Sequence, residues 1–182
     1  MPDRGPLPWD PIAEAHRHWS SHGWLDAADG MAAITSIMRA HQIVLARVEP
    51  VLRPYDITFA RYEVLMLLWF SSRGSLPMRI IGSRLQVHQT SVTNAVDRLE
   101  DAGLVRRTAH PRDRRTTLVE LTDAGRTLAE QATAALNREV FAQPGLGPDQ
   151  VAALIDTLAS FRQQAGDFAD AGPPTTGTAD PA

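Results

Sequence analysis

Arginine is concentrated in one part of this chain, between residues 73 and 115. The window holds nine of the 18 basic residues, all of them arginine, and only four acidic residues. Its formal charge is therefore +5, whereas the whole chain carries −3. Guanidinium groups bind phosphate oxygens through paired N–H donors, so a basic segment in an acidic chain is typical of nucleic-acid binding. A solvated charged surface is the alternative that charge alone leaves open.

Two segments at the end of this window predict a β-hairpin with a basic tip. Residues 104–108 and 116–121 contain β-branched side chains and partly alternate between apolar and polar residues, as strands do. The polar turn between them presents three arginines: Arg112, Arg114 and Arg115. Arginine side chains fit a narrow minor groove of DNA, where the potential is most negative. We expect the carboxylate of Asp113 to contact Arg115 and to aim its guanidinium, because that pairing is directional.

A helix predicted over residues 89–102 precedes the hairpin and has the two faces that DNA recognition requires. Its apolar side carries Val92, Ala95, Val96 and Leu99. Its other side carries short polar groups and one cation: Gln89, Thr90, Ser91, Thr93, Asn94 and Arg98. The major groove admits one helix, whose polar groups can then bind base edges and phosphates. An ordinary amphipathic helix is the alternative for this segment taken alone.

The rest of the sequence predicts further helices that would support these two elements. Apolar residues at helical spacing, together with capping residues and breakers, place helices at 11–20, 28–53, 59–70, 78–85, 123–141 and from 148 onward. The helix at 59–70 is apolar on nearly all sides, so it should lie in the core. Pro50 should kink or break the second helix near Ala46, because proline removes a helical hydrogen bond and clashes with the preceding turn.

A short helix, a turn, a second helix and a hairpin, in this order, predict a winged helix-turn-helix. Residues 90–107 are similar to the recognition helix and first wing strand of the multiple antibiotic resistance regulator (MarR) family. Residues 113–122 resemble the wing signature of that family, in which Asp, any residue and Arg precede a strand that ends in Leu-Thr. The helix order from Ala28 to Phe161 also fits. The expected fold is therefore mainly α, with long dimerisation helices and a two-stranded β-hairpin wing.

The resemblance implies a division of the chain into five parts. The segment 1–26 is an N-terminal extension with a short helix, and 27–57 is a dimerisation helix. The DNA-binding lobe covers 58–122. Residues 123–168 supply the C-terminal dimerisation helices, and 169–182 is expected to be a disordered tail because its composition cannot form a core.

The resemblance also implies a function and the residues that carry it. It predicts a homodimer that binds a pseudo-palindromic operator in double-stranded DNA and regulates transcription as a repressor released by a small, for instance aromatic, ligand. The DNA-binding candidates are His88, Gln89, Thr90, Ser91, Thr93, Asn94, Arg98, Arg112, Asp113, Arg114 and Arg115. Arg115 would enter the minor groove. The ligand-pocket candidates are Met38, His41, Tyr62, Met66 and Trp69.

Several other classes of protein are disfavoured by the sequence. It contains no cysteine, no Gly-x-Ser-x-Gly elbow and no glycine-rich phosphate loop, so neither thiol chemistry nor an enzyme is expected. No metal or cofactor is expected, because surface histidines explain His16, His18 and His22 more simply than a metal site does. The absence of a long apolar run and of signal-peptide features predicts a cytoplasmic protein without a membrane partner. The remaining alternative function is a winged-helix protein-interaction module without specific DNA binding.

Overall fold

The computed structural model describes residues 5–85, 89–113 and 115–169 of the chain, with the side chain of Gln89 excepted. The predictions for His88, Arg114 and most of the 169–182 tail therefore lie outside the described residues. The chain divides into two compact units, residues 1–49 and residues 50–182. Within the described part, no helix is both long and apolar enough to cross a membrane.

The first unit contains helix α1, Pro11–Ser21, and most of helix α2, Leu25–Leu52. The side chain of Asp10 accepts a hydrogen bond from the backbone N–H of Ile12 and caps α1, as its position before a proline predicts. Gly23 has φ +83°, a backbone conformation that favours glycine, and it lets the chain reverse between the two helices.

Helix α2 differs from its prediction because Pro50 does not break it near Ala46. The helix runs without interruption to Leu52 and is followed by a 3₁₀ turn at Arg53–Tyr55. Pro50 lies two residues from the helix end, so its missing N–H removes one hydrogen bond from the last turns of a 28-residue helix. The preceding turns retain theirs.

The second unit contains five helices and three strands among its described residues. In chain order they are α3 Phe59–Phe70, β1 Ser75–Pro77, α4 Met78–Leu85, α5 Gln89–Asp101, β2 Val105–Ala109, β3 Thr117–Leu121, α6 Asp123–Leu136 and α7 Pro148–Gln164. A π-helical turn, Asn137–Phe141, extends α6. The boundaries agree with the predicted ones to within a few residues, except for β1, which the sequence analysis did not predict.

The core of the second unit lies around α3, as its apolar sequence predicts. This helix packs against α4, α5 and α6 and against the sheet. Its buried side chains are Tyr62, Val64, Leu65 and Leu68. They share the core with the apolar sides of the neighbouring helices, where Ile81, Val92, Val96, Leu99 and Leu136 are also buried. The apolar surface removed from water holds α5 in place.

The sheet contains three antiparallel strands in the order β1–β3–β2. Strands β2 and β3 form the predicted hairpin, with Arg107 opposite Val119. Strand β1 adds to the other side of β3, where Leu76 lies opposite Val119. The wing is therefore attached to the residues that immediately precede α4.

Candidate nucleic-acid interface

Helix α5 has the two faces that its sequence predicts. Val92, Val96 and Leu99 are buried. On the opposite side, Thr90, Ser91, Asn94 and Arg98 are exposed, and Thr93 is half-buried. The guanidinium of Arg98 has no ion-pair partner among the described residues. These side chains therefore present hydrogen-bonding groups to solvent from a helix whose other side is fixed in the core.

The tip of the wing is organised by the carboxylate of Asp113. One oxygen accepts a hydrogen bond from the backbone N–H of Arg115 at 3.0 Å, and the other accepts one from the hydroxyl of Thr116 at 2.7 Å. These two bonds, the Thr116 one first, hold the pKa of Asp113 below its usual range. The expected pairing with the guanidinium of Arg115 is wrong. Asp113 fixes the loop through the backbone, because an Asp side chain reaches the amide two residues ahead in a turn.

Two of the three wing-tip arginines, Arg112 and Arg115, lie within the described residues. Arg112 and Arg115 are exposed, and among the described residues neither guanidinium has a hydrogen-bond or ion-pair partner. The ring of His110 accepts a hydrogen bond from the backbone N–H of Arg112 or Asp113 and so shapes the loop beneath them. In the described part of the tip, the side chains of Arg112 and Arg115 are therefore available to a ligand.

The arginines at the base of the wing are paired with carboxylates. Arg106 makes a two-bond contact across the hairpin with Glu120, at 3.0 and 2.7 Å. Arg107 bonds to two acidic residues of α5: its Nη1 contacts Glu100 and its Nη2 lies 2.5 Å from Asp97. The backbone N–H of Arg107 also donates to Glu100 at 2.9 Å and is the main cause of the lowered pKa of that carboxyl. Arg107 thus ties the wing to α5, a role that the sequence analysis missed.

A close contact joins the end of α5 to the beginning of α6. The hydroxyl of Thr122 lies 2.8 Å from the carbonyl oxygen of Gly103 and 3.0 Å from that of Leu104, and it accepts a hydrogen bond from Gly125. A Cβ atom added to Gly125 would lie 2.0 Å from the oxygen of Leu104. Glycine is therefore required there by close approach of two backbone segments.

Two further arginines, which the sequence analysis did not place at the interface, border the predicted surface. Arg61 lines the same grooves as Arg98, between the beginning of α3 and α5, and it donates to the carbonyl oxygen of Asp56 at 3.1 Å. Arg79 lies at the beginning of α4 and lines a groove with Arg115. Their positions depend on helix packing, and no local sequence pattern indicates them.

The residues predicted to form a ligand pocket fall in both units. Met38 and His41 belong to the first unit and are exposed. In the second unit, the hydroxyls of Tyr62 and Thr133 are 3.0 Å apart, and that of Thr133 also donates to the sulfur of Met66 at 3.4 Å. Trp69 stacks on a neighbouring phenylalanine, and a guanidinium lies over its ring. Nothing within either unit brings all five together, and the pocket stays a prediction.

The three histidines of α1 and of the turn that follows it take part in local contacts. His16 lies 2.8 Å from the carboxylate of Asp29, and His22 lies 2.8 Å from the backbone oxygen of His18. Trp19 and Trp24 pack edge to face at 5.2 Å. These side chains connect α1 to the start of α2.

The comparisons with known proteins point to one family. The model of the MarR family matches residues 57–117, which run from α3 through α4, α5 and β2 to the first residue of β3. A crystal structure of Sco5413, a MarR family transcriptional regulator from Streptomyces coelicolor, is 48% identical, with a TM-score of 0.72; the match covers 78% of this chain and 99% of that one.

Two other solved structures were determined with a ligand. A mutant MarR from E. coli complexed with operator DNA is 26% identical, has a TM-score of 0.68, and matches over 74% of this chain and 96% of that one. CouR from Rhodococcus jostii RHA1, bound to p-coumaroyl-CoA, is 29% identical, has a TM-score of 0.61, and matches over 69% and 87%. The chain spans 63% and 56% of the lengths of two curated relatives, both transcriptional regulators.

The fold and the exposed surface of α5 and the wing define a winged helix-turn-helix protein. The identity and coverage of the match to Sco5413 are more specific. This chain belongs to the MarR family, as its recognition-helix and wing motifs predict.

Proposed function

We propose that this protein is a homodimeric transcription regulator that binds a specific, pseudo-palindromic site in double-stranded DNA. The observation that carries the proposal is the combination of an exposed polar side on α5 with Arg112 and Arg115 at the wing tip, whose guanidinium groups have no partner in the described part of the chain. A helix of this kind binds base edges in the major groove, and the arginines bind phosphates and the adjacent minor groove. The mutant MarR from E. coli, which shares this fold, was solved in complex with operator DNA.

A dimer is supported by apolar side chains that the single chain leaves in solvent. On α2 the exposed residues include Ile34, Ile37, Met38, Ile43 and Val44. On α7 they include Leu154, Ile155 and Phe161. Large exposed apolar surfaces are uncommon on monomers, so a second copy would cover them. Two copies related by a twofold axis would place two α5 helices about one DNA turn apart, which matches a pseudo-palindrome.

We also propose that the protein represses transcription in the cytoplasm and that a small ligand releases it from DNA. The ligand-bound structure of CouR supports regulation by a small molecule in proteins of this fold. A ligand can release DNA only by favouring a conformation that binds DNA less well. The predicted pocket residues are Met38, His41, Tyr62, Met66 and Trp69. No enzymatic activity is part of the proposal.

The experiment that tests the proposal is a fluorescence-anisotropy titration at about 0.15 M salt, where weak charge attraction is reduced. The protein is titrated into a duplex from the region upstream of its own gene and into a scrambled duplex of equal length. We expect tighter binding to the native duplex and saturation at two chains per site. Equal, weak binding to both duplexes would contradict the proposal for this duplex and favour a winged-helix module with a protein partner.

A further inference from the structure

Two arginines from different elements lie along the groove between the wing and α4. Its walls come from the residues around the start of α4 and from the end of the wing turn: Pro77, Met78, Arg79, Arg115, Thr116 and Thr117. Arg79 and Arg115 are both exposed. Neither guanidinium has an ion-pair partner within 5–85, 89–113 and 115–169. Two cations held near each other without a counter-ion attract an anion.

The backbone that carries these arginines is held together by the third strand of the sheet. In β1, Pro77 lies opposite Leu118 of β3, and α4 begins at the next residue. Arg79 is therefore two residues from a paired strand position, and Arg115 is two residues from the start of β3. Both positions therefore lie within two residues of paired strands of one sheet.

The carboxylate of Asp113 does not neutralise the groove. Asp113 uses its two oxygens for Arg115 N–H and the Thr116 hydroxyl, and it lies outside ion-pair distance of Arg79. The charge of Arg79 nevertheless reaches Asp113 and contributes to its lowered pKa, after the two hydrogen bonds and the charge of His110. Arg79 thus lies close to the wing turn, and its own donors face solvent.

We propose that this groove is a phosphate site, in which Arg79 binds a backbone phosphodiester at the edge of the minor groove that Arg115 enters. The hydroxyl of Thr117, which is exposed, supplies a neutral donor at the same place. This inference rests on the proposed DNA binding and adds a contact from α4. Because Arg79 binds the backbone, it contributes equally to every DNA sequence and fixes the position of the wing on the duplex.

The test compares the wild type with Arg79→Ala and with Arg17→Ala, which changes the net charge equally at an exposed position of α1. Each protein is titrated into the native and the scrambled duplex over a series of salt concentrations. We expect Arg79→Ala to weaken binding to both duplexes by the same factor and to reduce the slope of log K against log salt by about 0.9. Arg17→Ala should change neither quantity. Arg79→Lys should retain most of the slope, since it keeps the charge.

The outcomes separate this inference from the proposed function. If Arg79→Ala behaves like Arg17→Ala, the phosphate site is wrong while the preference of the wild type for the native duplex still supports the regulator. A loss confined to the native duplex would also overturn the site, since it would make Arg79 a base-reading residue. If the wild type binds both duplexes equally but Arg79→Ala still reduces the slope of log K against log salt, the phosphate site is supported and the sequence-specific regulator is contradicted. Absence of binding to any duplex at low salt overturns both.

Discussion

The base and the tip of the wing use the same residue type in opposite ways. At the base, Arg106 and Arg107 are bonded to acidic residues of β3 and α5. At the tip, Arg112 and Arg115 have no partner in the described part of the chain. The base therefore positions the wing relative to α5, and the tip carries the charge that remains for a ligand. A count of arginines does not distinguish these two roles, because the difference lies in what each guanidinium contacts.

The largest effect on stability is expected for Gly125→Ala, which acts on Leu104, the residue directly before the base of the wing. The added Cβ would lie 2.0 Å from the carbonyl oxygen of Leu104, so the start of α6 must move away from the end of α5. We expect a loss of roughly 2–3 kcal/mol in the free energy of unfolding, the upper range for overpacking. Urea denaturation measures it. Gly30→Ala in α2 is the control, because a Cβ there meets nothing within 4 Å, and a result equal to that control would contradict the prediction.

The tip is tested by Arg115→Ala, with DNA affinity as the readout. Since the guanidinium has no partner in the described part of the protein, the free energy of unfolding should change by less than about 0.5 kcal/mol. Affinity for the native duplex should fall by about 1–3 kcal/mol if the side chain enters the minor groove. Anisotropy titrations and thermal melts measure the two quantities. Unchanged affinity would remove the wing tip from DNA binding.

Arg107→Ala should lower both the free energy of unfolding and the DNA affinity. It leaves Glu100 and Asp97 without their cation, so we expect unfolding to become easier by about 1–2 kcal/mol, a moderate value because the pair is partly exposed. DNA affinity should fall because α5 is less well positioned, while the salt slope stays unchanged because no phosphate contact is lost. Arg106→Ala, which removes only an exposed cross-strand pair, is the matched control with an expected cost near zero. A reduced salt slope in Arg107→Ala would show that the base, too, binds phosphate.

The smallest expected effect is a pH dependence of the wing turn. The pKa of Asp113 is lowered in the folded protein, so its contribution is present above its unfolded pKa of about 3.9 and is lost as pH falls through the folded pKa. Ionisation of Asp113 should therefore leave the chemical shift of the Arg115 amide constant between about pH 5 and 8. The shift should change with a midpoint below about 3.9. Thr116→Val removes the strongest hydrogen bond and should raise the midpoint. A midpoint that stays the same in this variant would exclude the Thr116 contact as its cause.

Helix positions were predictable from the sequence because their signals are local. The cap at Asp10, the apolar run of α3 and the buried side of α5 all depend on residues within a few turns. The recognition-helix and wing motifs were likewise continuous in sequence. These features also predicted the exposed polar side of α5.

The features that the sequence did not predict depend on contacts between distant residues. Strand β1 has three residues and exists because β3, more than 40 positions later, pairs with it. The partners of Arg107 are on another element, and two other carboxylates, Asp101 and Asp113, are nearer to it in sequence. Asp113 was predicted to contact the guanidinium of Arg115, but its carboxylate accepts a hydrogen bond from the backbone N–H of that residue instead. Arg79 reaches the interface through the same β1 pairing.

The joint made by Leu104, Thr122 and Gly125 has a mechanical consequence. The carbonyl oxygen of Leu104 accepts a hydrogen bond from the backbone N–H of Thr122, lies 3.0 Å from the hydroxyl of that residue, and would lie 2.0 Å from a Cβ atom at residue 125. These backbone atoms cannot approach each other more closely, because packed atoms resist compression. A tilt of the first turn of α6 would therefore displace Leu104 and, with it, the short segment that connects α5 to β2.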